Sequence, residues 1–447
     1  MDTWNIKATP PCSGRVDLCG LDLGSSRYFD AVAFYDASLD VDRLRDALAR
    51  TVTRYPFLAG TLAQEQRRLF IDLNGPGIPF EYEEANTPCP PFGPEIAQVN
   101  IPHLIPHVTS RGPQSQDPRA FGRPVVLMKL TRFADGRYAL GIAMCHAICD
   151  GTGVGRWLND WHRHYGGEEI SDPPEFSRDR VVALADPAAE APSMNSGFLN
   201  RAVSMDEIRD RLFEPRYTLL PVTVEQRVAL VGLAANHLGT GLSEHDFLHA
   251  LLLKSFACAC PATMTHVAAV LPCDLRRIKG LDMPGNYCGN AVTQRLLRLP
   301  RAAAIDASYP ELAGKLMEVT KPGPASARQD IGFRQREYVS GRVTDYGTLT
   351  NVQLALAKDT LMISNMAQAS NTMPSPFGGT MLWSDMAINE PLAVRSAWIH
   401  ANPGQKPSYR VWVVLPEEQV EPFRTAWEAG IAELMKQPVA RRSAAAH

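Results

Sequence analysis

One stretch constrains the fold of this chain more than any other: Tyr138-Ala-Leu-Gly-Ile-Ala-Met-Cys-His146-Ala-Ile-Cys-Asp150-Gly151-Thr-Gly153-Val-Gly155-Arg-Trp157. Tyr138 to Cys145 is uncharged and mainly apolar, the pattern of a strand covered on both faces. Gly151 and Gly153 then make a tight turn possible. Beyond Asp150 the period changes, and Val154, Trp157, Leu158, Trp161 and Tyr165 fall on one face of a helix. A strand needing cover on both faces, followed by a helix with one apolar face, commits this region to α/β layers.

The rest of the chain extends that pattern. Asp40 to Tyr55 reads as a helix capped by Asp40 and ended by Pro56, with Val41, Leu44, Leu48 and Val52 on one face. Leu69–Leu73 reads as a hairpin strand running into the turn Asn74-Gly75. Residues 86–124, thick with Pro, Gly and Ser, read as a long, mostly ordered surface excursion. Ser243 and Asp246 form a capping box for a helix reaching Phe256. Strands are expected at Thr265–Leu271, Leu361–Asn365, Thr380–Ser384 and Tyr409–Leu415, and a closing helix at Glu417–Met435. At 447 residues the chain exceeds one ordinary core. Periodicity lapses over 171–203, where Pro, Ala, Ser and Asp dominate, which predicts domains at 1–185 and 204–447 joined by residues 186–203.

Composition removes several classes of function. The chain is 45% hydrophobic and 21% charged, with a formal net charge of -3. That balance gives no basic footprint for nucleic acid. Nothing approaches the ~18 consecutive apolar residues of a membrane span, and the first ten residues lack a signal peptide's apolar core. Nine scattered cysteines read as reduced thiols of a cytoplasmic protein.

His146 is the candidate for chemistry. It stands where a buried strand ends, a place where a side chain can face a cleft, and an imidazole with an unperturbed pKa of ~6.5 suits a general base. A hydrogen-bonded structural histidine is the competing role. The glycines at 151, 153 and 155 lack the spacing of a dinucleotide loop. Cys145, Cys149, His162 and His164 do not make a zinc site, because on a helix the two histidines point ~200° apart. No metal is expected.

The pattern His146-x-x-x-Asp150-Gly151 resembles the BAHD acyltransferases and their wider superfamily, which includes chloramphenicol acetyltransferase and the condensation domains of peptide synthetases. Three further stretches follow in the family's order. Tyr55-Pro56-Phe57-Leu58-Ala59-Gly60-Thr-Leu62 is similar to its Tyr-Pro-Leu-Ala-Gly turn. Asp274-Leu-Arg276, then Met283-Pro284-Gly-Asn-Tyr287-Cys-Gly289-Asn290, is similar to its Asp-x-Arg and Tyr-x-Gly-Asn motifs. Asp385-Met-Ala-Ile-Asn389-Glu-Pro391 stands where the family carries Asp-Phe-Gly-Trp-Gly-x-Pro, with only the Asp and Pro kept. The matches span Asp22 to about Arg395.

The resemblance implies two chloramphenicol-acetyltransferase-like domains, each a mixed sheet flanked by helices, with a channel at their interface. It implies a monomer of secondary metabolism that moves an acyl group from acyl-CoA, a co-substrate, to a small-molecule alcohol or amine, with no permanently bound cofactor. His146 is then the base, and no acyl-enzyme forms. Asp150 turns from the cleft and pairs with Arg276, neither side chain lining the substrate path. Ser364 and Asn365 are candidate oxyanion donors by position. Two alternatives stay open. A carrier-protein-dependent condensation enzyme usually has a second histidine where Cys145 stands. A non-acylating relative, a cyclase or ligand-binding protein, would fit the eroded Asp385–Asn389 motif.

Overall fold

A computed structural model describes residues 2–22, 28–36, 39–66, 68–91, 101–104, 122–198, 213–341, 358–367, 377, 379–387, 395–402 and 408–437. The strands, in chain order, are β1 (Asp2–Ile6), β2 (Arg15–Asp17), β3 (Tyr28–Tyr35), β4 (Thr61–Glu65), β5 (Arg68–Asp72), β6 (Ile78–Glu84), β7 (Val126–Arg132) and β8 (Tyr138–Cys145). They continue with β9 (Pro215–Val222), β10 (His266–Asp274), β11 (Val292–Pro300), β12 (Thr360–Asn365), β13 (Met381–Ala387), β14 (Ser396–Ala401) and β15 (Tyr409–Pro416). Two six-stranded sheets result, β1-β6-β7-β8-β3-β13 and β11-β10-β12-β14-β15-β9, with a small sheet β2-β5-β4 beside the first.

All eight residues of β8 are buried, as their lack of charge requires. One face packs Leu140, Ile142 and Met144 against a core shared with α1 (Val41–Arg54) and α2 (Gly151–Gly166). The other presents Ala139 and Ala143 to a cluster with Val32 and Phe34. The α1 cap is in place, Asp40 accepting from Arg43 N at 3.0 Å. Leu44, Leu48 and Val52 are wholly buried, each contributing about 1.5–3 kcal/mol against an exposed side chain.

The second sheet turns Val267, Ala269, Ile363, Ile399 and Val411 toward the core of the helices Glu244–Ala259, Tyr309–Thr320 and Glu417–Lys436. Alternation then places Ser364, Trp398 and His400 on the opposite face, where they line a cavity against the first sheet.

Two elements from beyond the 186–203 stretch reach back to the first half. β13 lies beyond that stretch, yet it is the edge strand of the first sheet, antiparallel to β3. The helix Pro324–Val339 also docks on the first half: Gln335 accepts from Gly20 N at 2.8 Å, and Tyr338 joins the first core. The first half's sheet and core therefore draw on residues from within 204–447. The stretch before residue 199 is tied down too, with Gly197 N bonded to Gln294 O at 2.7 Å and Ser193 N to Asp330 at 2.8 Å. Most of the 86–124 excursion, residues 92–100 and 105–121, lies outside the described residues.

Candidate active site

β8 delivers His146 to the wall of a cavity of about 1230 Å³ between the two six-stranded sheets. The side chain is partly exposed there, and its Nδ1 is buried without a hydrogen-bond partner among the described residues. Phe29 of β3 packs edge-on against the imidazole, centroids 5.4 Å apart. Among the described residues it is packing that orients this ring, and Asp150, bonded to Gly153, Arg276 and Ala291, makes no Ser-His-Asp style relay with it.

Asp150 is engaged elsewhere. It caps α2 by accepting from Gly153 N at 3.0 Å. Arg276 donates to it twice, at 2.9 and 3.2 Å, and Ala291 N adds a bond at 2.8 Å. Arg276 also bonds the carbonyls of Tyr287 and Gly289 at 3.0 and 2.9 Å and the Asp274 carboxylate at 2.9 Å. Burial alone would lower the Arg276 pKa, but Asp150 and Asp274 hold it above the ordinary arginine value. Asp150 is the residue expected to turn from the cleft. Its oxygens are taken, and the residue stands at the cavity wall, because as the cap of α2 it closes the turn that begins at His146.

A second clamp escaped the sequence reading. Asn290 Nδ2 donates to the carbonyls of His146 and Ala147 at 3.0 and 3.2 Å and to Asp22 at 2.8 Å. Arg178 bonds the carbonyls of Ala147 and Ile148 at 3.2 and 2.7 Å and pairs with Asp22 at 3.2 Å. The carbonyls of residues 146–148 are thus fixed by groups from two distant segments, both of them held by Asp22 from a third. Asn290 sits inside the quoted Tyr-x-Gly-Asn motif, a signal that was there to use. Arg178 lies in the stretch whose composition reads as a junction, and Asp22 has no local pattern at all.

Ser364 and Asn365 both line the cavity. The Ser364 hydroxyl makes no hydrogen bond among the described residues, while Asn365 Oδ1 accepts from Ala367 N at 3.1 Å. Asp385 is in β13 opposite Val32, and Asn389 lies outside the described residues. The thiols nearest the turn are inert: burial pushes Cys145 up to about 12 and Cys149 well above the usual thiol range.

A family model described as the transferase family matches residues 15–319, more than half of the chain. The chain belongs to the BAHD transferase family. Among curated BAHD relatives, a hydroxycinnamoyltransferase of Narcissus pseudonarcissus is 31% identical over 43% of this chain and 48% of its own length. An anthranilate N-benzoyltransferase of Dianthus caryophyllus is 28% identical over 66% and 64%. The chain thus spans about half the length of the first of these relatives. Solved structures show the shared BAHD fold at lower identity. TRI101 of F. graminearum, complexed with coenzyme A and deoxynivalenol, has a TM-score of 0.72 at 15% identity, covering 93% of this chain and 99% of its own. Vinorine synthase gives 0.67 at 16% identity over 94% and 95%. The two mixed sheets with flanking helices are therefore the fold that the resemblance implied.

Proposed function

We propose that the protein transfers an acyl group from acyl-coenzyme A to the hydroxyl or amine of a small natural product, with His146 as general base. The observation that carries this reading is the placement of His146. One edge of the ring is buried and packed on Phe29, and the side chain meets a cavity with room for two substrates. Membership of the BAHD family and the coenzyme A in the TRI101 complex support the donor. The neutral imidazole takes the acceptor's proton as its oxygen or nitrogen attacks the thioester carbonyl. The tetrahedral oxyanion collapses, the carbon–sulfur bond breaks, and coenzyme A leaves as a thiolate that the imidazolium can reprotonate.

No acyl-enzyme is needed, because the acceptor is itself the nucleophile, and buried thiols such as Cys145 are poor substitutes. Ser364 and Asn365 are the two candidate oxyanion donors, Ser364 through a hydroxyl that is uncommitted among the described residues and Asn365 through Nδ2, its Oδ1 being held by Ala367 N. Asp150, Gly151 and Arg276 hold the catalytic turn and do not take part in proton transfer. All nine cysteines are unpaired, which fits a reducing cytoplasm, and no helix among the described residues is long and apolar enough to cross a membrane. A monomer suffices for this chemistry.

The test is release of free coenzyme A thiol from acetyl-, malonyl-, benzoyl- and hydroxycinnamoyl-CoA with a panel of small alcohols and amines. Products are followed by mass spectrometry. Transfer that His146→Ala abolishes supports the reading. Rearrangement of an acceptor without any acyl donor, or transfer only from a carrier-protein thioester, would replace it.

A further inference from the structure

The cavity has two unlike ends. Among the described residues its charged wall residues, Asp150, Asp274, Arg277, Lys279, Lys321 and Arg334, come from the turn after β8 and from the second half of the chain. The wall formed by β3, β8 and α2 has none. Phe29, Ala31, Ala33 and Tyr35 are alternate residues of β3 and share one face of the strand, which lines the cavity. They stand in register with the neighbouring strand, Phe29 beside Met144, Ala31 beside Ile142 and Ala33 beside Leu140. Val154 and Leu158, one helical turn apart on α2, supply the flank. This arm begins at His146, where Phe29 touches the imidazole. It ends at Phe377, whose ring lies 6.2 Å from Tyr35, 4.9 Å from Trp161 and 5.2 Å from Tyr165.

The arm's length follows from two independent elements. Phe29 to Tyr35 spans roughly 20 Å at the rise of a strand. Asp150 to Tyr165 spans roughly 22 Å at the rise of a helix. Allowing for the rings at both ends leaves about 15 Å, and an extended alkyl chain advances roughly 1.3 Å per carbon. Its depth comes from Ala31 and Ala33, which stay partly exposed in the middle of a strand paired on both sides. Larger side chains there would fill the space. Ser384 of β13, in register with Ala33, is a polar residue of this wall, and a recess otherwise lined by apolar side chains of β3, β8 and α2 favours an apolar occupant over water.

We propose that this arm binds one extended hydrocarbon chain of roughly ten to fourteen carbons, with its functional end at His146. The inference rests on the acyl-transfer reading only in taking His146 as the reacting end. The chain belongs either to a fatty acyl thioester or to a long-chain alcohol or amine acceptor. Ala31 and Ala33 act as a ruler in both cases, Ala33 lying farther from His146 than Ala31.

The experiment measures binding of the full chain to saturated acyl-CoAs from two to sixteen carbons, and separately to n-alkanols and n-alkylamines of the same lengths. In the arm's own substrate series each added methylene should tighten binding about fourfold up to about twelve carbons, with no further gain beyond. The series that responds identifies whether donor or acceptor carries the chain. Ala33→Phe should shorten the optimum by several carbons, and Ala31→Phe by more. Ala33→Leu is the milder replacement, and acetyl-CoA binding, which does not reach the arm, reports that each variant is folded. Flat profiles in both series, or an unchanged optimum in variants that bind acetyl-CoA normally, would overturn the proposal. Neither outcome touches the role of His146, which is read from turnover. Conversely, full transfer by His146→Ala would remove the base and leave the length profile intact.

Discussion

Arg276 holds Asp150 in a two-pronged ion pair, Nη1 to Oδ2 at 2.9 Å and Nη2 to Oδ1 at 3.2 Å, across 126 positions of sequence. Both side chains are at most 5% exposed, and the same carboxylate caps the helix that follows the His146 turn. One residue thereby ties that turn to the strand end at Asp274–Arg276. Removing one partner of a buried pair leaves the other uncompensated.

Asp150→Ala should therefore lower the free energy of unfolding by about 3–5 kcal/mol, read from urea melts. Asp150→Asn, which can still accept from Gly153 N, should lose less. An Asp150→Ala variant as stable as the parent would show that the pair holds nothing.

For His146, replacement by Ala should cut turnover by about 10²–10⁴-fold while circular dichroism and acyl-CoA affinity stay as they were. Under the proposed mechanism the imidazole meets the reacting centre and not the nucleotide, so a loss confined to binding would assign it a different role.

Asn290→Ala strips one donor group from three oxygens at once, those of His146, Ala147 and Asp22. The expected cost is about 1–3 kcal/mol of stability, with a fall in kcat as the turn loosens. Asn290→Asp should do no better, because a second carboxylate would face Asp22. Recovery of activity in that variant would refute the clamp.

Acid should weaken the fold through two histidines. Burial, with Arg410 nearby, pushes His400 down to about 3, and burial puts His249 at about 4. The unfolded chain takes up these protons near pH 6.5, the folded chain only far below, so the unfolded state binds more protons in between. Stability is full above pH ~6.5 and is lost as pH falls toward 3, by up to ~1.4 kcal/mol per pH unit for each histidine. Thermal melts from pH 7.5 to 4 should show this slope, and His400→Gln should flatten it.

Gly153 leaves no room for a side chain. A Cβ there would lie 2.8 Å from Cys149 Cβ and 3.0 Å from the Cys288 carbonyl. Gly153→Ala should push the start of α2 off that backbone, at about 1–3 kcal/mol. Gly166→Ala, in open space at the other end of the helix, is the control and should be neutral or slightly stabilising. Equal melting temperatures for both variants would contradict this.

The elements that were legible in the sequence carry their own signal. Tyr138–Cys145 is a strand because its lack of charge demands burial, and Gly151–Gly166 a helix because its apolar residues recur every turn behind a capping aspartate. Val41–Arg54 reads the same way. His146 was found because it ends such a strand, and Arg276 through a motif resemblance. Ser396–Ala401 has no period that separates a strand from a buried helix, and the buried face of Val292–Pro300 carries Thr293 and Arg295, polar residues that find Asp330 only in the fold.

The sequence by itself determined which residues must be covered and where the local turns fall, because those are set by backbone sterics, capping groups and the period of apolar side chains. Tertiary structure alone decided who does the covering. Nothing local in Met381–Ala387 says that it pairs with β3 and not with the sheet of the second half, since an edge hydrogen bond is available to any strand. Nothing local in Asp22, Arg178 or Asn290 says that they meet at the carbonyls of residues 146–148. The depth beside Ala31 and Ala33 is likewise a property of what stands opposite them, and a cavity exists only where distant elements fail to touch.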